Sequence, residues 1–225
     1  MTDSTSSKTE SSVAVEHHIE VARTARYCTL GKPSGDVWIV LHGYKQLARR
    51  FLRRFSPIDD GTRLIVAPEG LSRFYVSQEP GRHGPQSVVG ATWMTREDRE
   101  HEIADYVRYL DTLADRLLTG TERLTILGFS QGVATASRWV VHGSVRPARV
   151  VLWGDFLPPD LDMAGASSAF ADVELLLVRG SRDGALDPEL ASAERDRLVS
   201  AGLRGRRIAY EGGHDIDTET LLSFA

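Results

Sequence analysis

Short apolar runs alternate with segments of helical periodicity from residue 37 to the C-terminus. The runs are rich in Val, Ile and Leu with few polar interruptions, which is typical of strands that are buried on both faces of a sheet. They occupy residues 37–43, 62–70, 123–130, 148–155, 173–183 and 206–214. Because such strands alternate with helices, the pattern predicts a mostly parallel α/β sheet with helices on both faces.

The clearest predicted helix covers residues 96–118, and Thr95 is placed to cap its first turn. Apolar residues recur there every three or four positions, at Ile103, Val107, Leu110, Leu113 and Leu117. Residues 46–55 and 188–201 also predict helices, the second with a proline in its first turn and a glycine just beyond its end. Strand-like residues at 17–30 predict an antiparallel edge pair.

Composition narrows the class of protein. Residues 1–12 are small, polar and charged, so we expect a disordered tail before a single domain at 13–225. The 27 Lys and Arg residues nearly balance the 31 Asp and Glu residues, which argues against nucleic acid as a partner.

The sequence has neither a signal peptide pattern nor an apolar run near the roughly 20 residues that span a bilayer, so we expect a cytoplasmic protein without stable membrane insertion. Cys28 is the one cysteine, and no Cys and His cluster has zinc spacing, so we expect no metal.

A serine stands in the stretch Gly128-Phe129-Ser130-Gln131-Gly132, between an apolar run and a predicted helix. This G-x-S-x-G arrangement is typical of a nucleophile held above a sheet by a strained turn, in which side chains at the two glycines would collide. Ser130 could instead be an ordinary helix cap, but the strand before it and the helix after it favour a nucleophile.

A serine hydroxyl needs a base to act as a nucleophile at neutral pH. Of the seven histidines, only His142 and His214 follow Ser130. His142 ends the helix after the serine, where a histidine usually faces water, whereas His214 follows the last apolar run. Because the order in this architecture is serine, acid and then histidine, His214 is the predicted base.

Three aspartates that follow strands are candidates for the acid that orients the base. Asp183 is the best placed, because it precedes His214 and lies in a glycine-containing loop after a strand. Asp155 ends the preceding strand and remains a competing candidate. Asp187 stands before Pro188 and is expected to cap the following helix.

Two backbone N–H groups are predicted to stabilise the oxyanion that forms on a substrate carbonyl. One belongs to Gln131, directly after the nucleophile, and the other to Tyr44, in the loop after the first buried strand. His42 precedes the serine on another strand, so we expect a structural histidine that bonds to the backbone.

Residues 70–95 form a long predicted connection, and connections of this length usually have a function or are disordered. We expect a partly ordered wall in which Phe74, Tyr75 and Trp93 line an apolar pocket, with ordinary core packing of these aromatics as the alternative. Residues 156–171 are too few for a large lid domain, which predicts an open site.

Four arginines interleave with apolar residues in the predicted helix at 46–55. They are Arg49, Arg50, Arg53 and Arg54. A helix with one buried face and one solvated basic face accounts for this pattern, and contact with an anionic surface or substrate is the alternative.

The assembled residues resemble those of the α/β-hydrolases. The matching stretches are VLHGY, IVAPEGLSRFYV, WM at 93 and 94, LGFSQGVA, RGSRDGALDPE and GGHDI. Within that superfamily the chain resembles the phospholipase/carboxylesterase group, which includes small acyl-protein thioesterases and bacterial esterases. The resemblance implies an α/β-hydrolase fold, Ser130 as nucleophile, Asp183 as acid, His214 as base and Tyr44 with Gln131 as oxyanion donors. It also adds Met94 to the predicted substrate-binding residues.

Three positions depart from the pattern of that group. Tyr44-Lys45-Gln46 stands where an apolar residue, glycine and aspartate are common, Val133 replaces a glycine, and Asp155 adds a carboxylate near the site. These differences favour a bacterial esterase over a true acyl-protein thioesterase.

The sequence therefore predicts a serine hydrolase that cleaves a small-molecule carboxylic ester or thioester through an acyl-enzyme and needs no cofactor. Two alternatives stay open: a peptidase or lactone hydrolase with the same residues, and a non-catalytic small-molecule binder on the same fold. The choice between a monomer and a homodimer also stays open.

Overall fold

Nine strands and six α-helices form the described part of the chain, which comprises residues 14–76, 82–185 and 187–225 of a computed structural model. The strands are β1 (Tyr27–Gly31), β2 (Asp36–Leu41), β3 (Leu64–Pro68), β4 (Ser72–Tyr75), β5 (Val89–Thr92), β6 (Arg123–Phe129), β7 (Arg149–Trp153), β8 (Glu174–Gly180) and β9 (Gly205–Tyr210). The predicted tail at 1–12 and the domain start at 13 lie outside the described residues and stay predictions.

Seven of these strands form the main sheet in the order β1-β3-β2-β6-β7-β8-β9. Only β1 pairs antiparallel, with β3, while the other neighbours are parallel. This confirms the mostly parallel sheet and its antiparallel edge. The edge strand is shorter than predicted, because residues 17–26 form no strand.

The connection at 70–95 contains a second sheet that the sequence did not predict. Strands β4 and β5 pair antiparallel there, from Ser72 opposite Thr92 to Tyr75 opposite Val89. Each strand has four residues and lies among glycines and polar residues, so neither produces a recognisable alternation. The connection predicted at 70–95 therefore contains two short strands that the hydrophobic pattern did not reveal.

The helices are α1 (Ala48–Leu52), α2 (Arg99–Leu117), α3 (Gln131–His142), α4 (Met163–Ala169), α5 (Pro188–Ser200) and α6 (Thr218–Leu222). A 3-10 helix at Arg53–Ile58 continues α1. The cap predicted at Thr95 is wrong, since α2 begins after Asp98, whose φ is 46°. The cap predicted at Asp187 is confirmed, because its carboxylate accepts the Glu189 N–H at 2.7 Å.

Each face of the main sheet has its own apolar core. Ile126 and Leu127 are neighbours on β6 whose side chains point to opposite faces, as strand geometry requires. Ile126 packs in a cluster with residues of α2 and α3, and Leu127 packs in a cluster with residues of α1 and α6. The helices therefore cover both faces, which confirms the layered arrangement predicted from the apolar runs.

The carboxyl ends of the parallel strands lie at one edge of the sheet, where ligands bind in α/β folds of this kind. Ser130 follows β6, Asp183 follows β8 and His214 follows β9. In the described residues, no separate lid domain is inserted between these strands. No helix within the described ranges has both the length and the apolar composition that a membrane crossing requires.

Candidate active site

Ser130 occupies the sharp turn between β6 and α3. Its φ of 53° and ψ of −121° lie in a region that favours glycine, so the residue is strained. Its N–H donates to the Trp153 carbonyl on the neighbouring strand β7 at 2.9 Å, which helps to hold the turn. Ser130 is partly exposed at the carboxyl ends of the strands.

The two glycines of the turn are required by close backbone contacts. A Cβ atom at Gly128 would lie 2.2 Å from the Gly132 carbonyl oxygen, and a Cβ atom at Gly132 would lie 2.2 Å from the Leu41 carbonyl oxygen. These separations are far below any van der Waals contact. The expectation that side chains at these positions would collide is confirmed.

Asp183 and His214 form a hydrogen-bonded pair at the ends of β8 and β9. His214 Nδ1 lies 2.7 Å from Asp183 Oδ2, and the Asp183 side chain is only 1% exposed. The other carboxylate oxygen accepts the Ala185 N–H at 3.0 Å. A carboxylate that accepts from Nδ1–H fixes the ring and its tautomer, which leaves Nε2 free to accept a proton.

The His214 ring lies beside the turn that carries Ser130. It contacts Phe129, the residue before the serine, with ring centroids 5.0 Å apart. It also lies over Gly154, where an added Cβ atom would be 3.3 Å from His214 Cε1. Among the described residues, the Ser130 hydroxyl makes no hydrogen bond. The bond from Oγ to Nε2 therefore belongs to the proposal below.

Asp155, the competing acid, does not bond to His214. Its carboxylate accepts the N–H of Phe156 at 2.8 Å. Burial raises the pKa of Asp155, and the Phe156 N–H and the positive charge of Arg179 oppose this only in part. The geometry thus favours Asp183 over Asp155 as the partner of the histidine.

The two predicted oxyanion donors lie next to Ser130. Gln131 is the next residue, and the loop with Tyr44 passes so close that a Cβ atom at Gly43 would be 3.1 Å from Ser130 Cβ. In the described part of the chain, neither the Tyr44 N–H nor the Gln131 N–H has an acceptor. Both are therefore available to a substrate oxygen.

His42 supports this loop from beneath. It is fully buried, its Nδ1 donates to the Gly43 carbonyl at 2.8 Å, and its Nε2 accepts the Gly70 N–H at 3.0 Å. Burial lowers the pKa of His42, so the ring is neutral at physiological pH. The prediction of a structural histidine that bonds to the backbone is confirmed.

The side chain of Gln131 has a positioning role that sequence reasoning missed. Its amide nitrogen donates to the Met94 carbonyl at 2.9 Å and to Thr92 Oγ1 at 2.8 Å. Its amide oxygen accepts the Trp93 N–H at 3.2 Å. These bonds attach the end of β5 to the start of α3. The only signal of this role in the sequence is the glutamine directly after the predicted nucleophile.

Two of the predicted pocket residues lie on the hairpin of β4 and β5. Phe74 stacks on the oxyanion-loop residue Tyr44, with ring centroids 5.3 Å apart. Tyr75 is 47% exposed and stacks on His83 at 3.7 Å. Phe74 therefore lies next to the predicted oxyanion donor, which suits a pocket wall, and the roles of both residues stay predictions.

The other two predicted pocket residues pack inward. Trp93 is only 2% exposed, and its Nε1 donates to the His42 carbonyl at 2.8 Å, which favours the alternative of core packing. Met94 is partly buried, and its sulfur lies 3.5 Å from guanidinium nitrogens of both Arg99 and Arg138. Trp93 and Met94 thus support the floor beside the site, and direct contact with substrate stays a prediction.

Comparison with known proteins identifies the family. A model of the phospholipase/carboxylesterase family matches residues 28–225. The chain belongs to this family. It is a hydrolase of the carboxylesterase and thioesterase type, with the α/β-hydrolase fold that the sequence predicts. No curated protein sequence matches the chain.

Solved structures of esterases share this fold. Acyl-protein thioesterase 2 of Zea mays has a TM-score of 0.68 and 16% identity, with 89% of this chain and 96% of that one covered. The carboxylesterase of Mesorhizobium loti has a TM-score of 0.67 and 20% identity, with coverages of 88% and 92%. Esterase PE8 has a TM-score of 0.64 and 18% identity, with coverages of 89% and 95%. At these identities the likeness concerns the fold alone.

A buried glutamate that sequence reasoning did not single out connects the segments around the candidate site. The Glu69 side chain is 0% exposed and accepts hydrogen bonds from Arg26 at 2.7 Å and Arg73 at 2.6 Å. It also accepts the Ala48 N–H at the start of α1, at 3.1 Å. Burial opposes ionisation of Glu69, but the bonds from the arginines outweigh it and hold the pKa below its usual value. Glu69 therefore joins the residue before β1, strand β4 and the start of α1.

Replacing Glu69 with glutamine should lower the free energy of unfolding by about 3 kcal/mol, because both arginines lose a buried partner. The difference from the wild type should be full above about pH 4.3, the usual glutamate pKa, and should shrink as the pH falls below it, because protonation removes the same charge. Urea unfolding at several pH values measures both effects. Glu211, whose side chain is 85% exposed in its pair with Arg182, gives the control. Glu211→Gln should change stability by less than about 1 kcal/mol, and an equal loss in both variants would contradict the role of Glu69.

One cluster of potential metal ligands lies elsewhere on the described surface. Asp98 Oδ1 lies 3.1 Å from His18 Nε2 and 2.6 Å from His101 Nδ1. All three residues are exposed, and the bond to Asp98 raises the pKa of His101. Ordinary charge-assisted hydrogen bonds account for this cluster, and none of its members belongs to the esterase site.

Proposed function

We propose that the protein is a serine esterase that cleaves a carboxylic ester or thioester through an acyl-enzyme. The bond between His214 and the buried Asp183, at the strand ends beside the strained Ser130, carries this proposal. Recognition of a ligand does not require a histidine that a buried carboxylate holds in one tautomer. A histidine that takes the proton of a neighbouring serine does require this arrangement.

The proposed reaction uses protein groups only. His214 Nε2 takes the proton of Ser130 as its hydroxyl oxygen attacks the substrate carbonyl. The N–H groups of Tyr44 and Gln131 hold the oxyanion, and Asp183 stabilises the imidazolium. Protonated His214 then gives its proton to the leaving alcohol or thiol. Water, activated by the same histidine, hydrolyses the acyl-enzyme and restores the serine.

Labelling with a fluorophosphonate tests the proposal directly. The wild-type protein should gain the mass of a single adduct, and Ser130→Ala should gain none, because the probe reacts with an activated serine. Intact mass spectrometry measures both. An unlabelled wild type would contradict the proposal and favour a non-catalytic binder, and equal labelling of the variant would place the reactive group elsewhere.

Several expectations rest on the sequence alone and stay predictions. These are the cytoplasmic location, the lack of a nucleic acid partner, and the lack of a cofactor. The choice between a monomer and a homodimer stays open.

A further inference from the structure

A basic cavity of about 380 Å³ lies beside the oxyanion loop. Four of its six lining residues are cationic: the lining consists of Lys45, Gln46, Arg50, Phe51, Arg53 and Arg54. The whole chain carries a net charge of −4, so this concentration of positive charge is local and not a general property of the surface.

Two of the residues that line the cavity contact neighbours of the candidate active site. Phe51 stacks on Phe129 with ring centroids 5.9 Å apart, and Phe129 also contacts the His214 ring. The side chain of Gln46 accepts the Gly43 N–H at 2.9 Å, in the loop that precedes the predicted donor Tyr44. Lys45, the residue after Tyr44, also lines the cavity, so the cavity lies beside the loop that carries the predicted oxyanion donor.

Most of the positive charge in the cavity is not neutralised. Arg54 pairs with Asp215, the residue after His214, at 3.0 Å. In the part of the chain that the structure describes, Lys45, Arg50 and Arg53 have no carboxylate partner. Like charges around one cavity repel each other, and a bound anion relieves that repulsion.

We propose that this cavity binds a carboxylate or phosphate group of the ester substrate. The planar guanidinium group can bind two oxygens of a carboxylate or phosphate through paired hydrogen bonds. The proposal rests on the proposed esterase function and defines its substrate class as anionic esters. It also gives a function to Lys45, an exposed cation next to the predicted oxyanion donor Tyr44.

Two 4-nitrophenyl esters with equal acyl chains test the proposal. One is the hydrogen adipate, which carries a terminal carboxylate, and the other is the neutral hexanoate. The wild type should prefer the adipate ester in kcat/KM. The double variant Arg50→Gln, Arg53→Gln should lose about tenfold more on the adipate ester than on the hexanoate, and high salt should reduce the preference in the wild type.

Arg49 provides a matched control, because it is an exposed arginine on α1 that does not line the cavity. Arg49→Gln should leave the ratio between the two esters unchanged. An equal loss in Arg49→Gln and in the double variant, together with charge-dependent binding to vesicles of anionic lipid, would overturn the proposal in favour of a membrane-facing surface. If the wild type did not prefer the adipate ester, the proposal that the cavity binds a carboxylate group would be overturned.

A binding measurement separates this proposal from the proposed function. Free adipate and inorganic phosphate are each titrated into the Ser130→Ala variant by calorimetry, with and without the two arginine substitutions. Binding of either anion that the substitutions abolish supports the cavity and identifies the preferred group, even if no ester is hydrolysed. Failure of both anions to bind overturns the cavity. If the wild type hydrolysed the hexanoate ester but neither anion bound, the esterase proposal would be supported and the anion-binding proposal would be overturned.

Discussion

Replacing Ser130 with alanine should lower kcat on a short acyl ester by about 10⁶-fold, the order of loss expected when a serine nucleophile is removed. The remaining groups still bind substrate and polarise its carbonyl, so a small rate above that of water should survive. Steady-state hydrolysis of 4-nitrophenyl butyrate measures the loss. A kcat within tenfold of the wild type would show that Ser130 is not the nucleophile.

The strain at Ser130 supplies a control that separates catalysis from folding. Its φ of 53° is poorly tolerated by any residue with a Cβ atom, so Ser130→Ala should keep about the same stability as the wild type. Ser130→Gly should be equally inactive and about 1 kcal/mol more stable, because relief of strain exceeds the added freedom of the unfolded chain. Thermal unfolding of the three proteins measures this. A glycine variant less stable than the alanine variant would contradict the strain argument.

The sheet could be predicted from sequence because strands buried on both faces produce continuous apolar runs. All six runs correspond to parallel strands of the main sheet, and each observed strand is shorter than its run by one to four residues. The residues of the runs that lie outside the strands are mainly at the carboxyl ends, as in residues 181–183 after β8. Those residues leave the sheet to form the loop with Asp183, and hydrophobic pattern does not mark where such a turn begins.

Chain order and the positions of the strand ends were enough to predict the serine and the histidine of the candidate site. His214 was the one histidine placed after the last strand, and the structure joins it to Asp183. Sequence left Asp155 as a competitor, because both aspartates follow neighbouring strands of the same sheet. Only the direction of the side chains, which depends on packing of the loops, distinguishes the two.

Contacts between distant segments account for what the sequence did not reveal. Glu69 bonds to Arg26, which is 43 residues away, and the Gln131 side chain bonds to Met94, which is 37 residues away. The cavity at Arg50 and Arg53 likewise requires the oxyanion loop to fold against α1. The exposed arginines and buried apolar residues of this segment agree with the expected helix of one basic and one buried face, and anion binding by the same arginines stays a proposal.

Replacing Asp183 with asparagine should lower kcat by about 10³- to 10⁴-fold with little change in the fold. An asparagine amide donates to His214 Nδ1 where the carboxylate accepts, so the ring proton moves to Nε2. In that tautomer Nε2 cannot accept the proton of Ser130. The measurement is kcat on 4-nitrophenyl butyrate, together with the pH profile of the residual activity.

Asp155→Asn is the matched control, because it removes a neighbouring carboxylate that, among the described residues, accepts only the Phe156 N–H. We expect it to change kcat by less than about tenfold, since the bond between Asp183 and His214 stays intact. If the Asp155 variant lost more activity than the Asp183 variant, Asp155 would be the acid that orients the histidine. If both lost about 10³-fold, the two carboxylates would act as one coupled unit, and the single-acid assignment would be wrong.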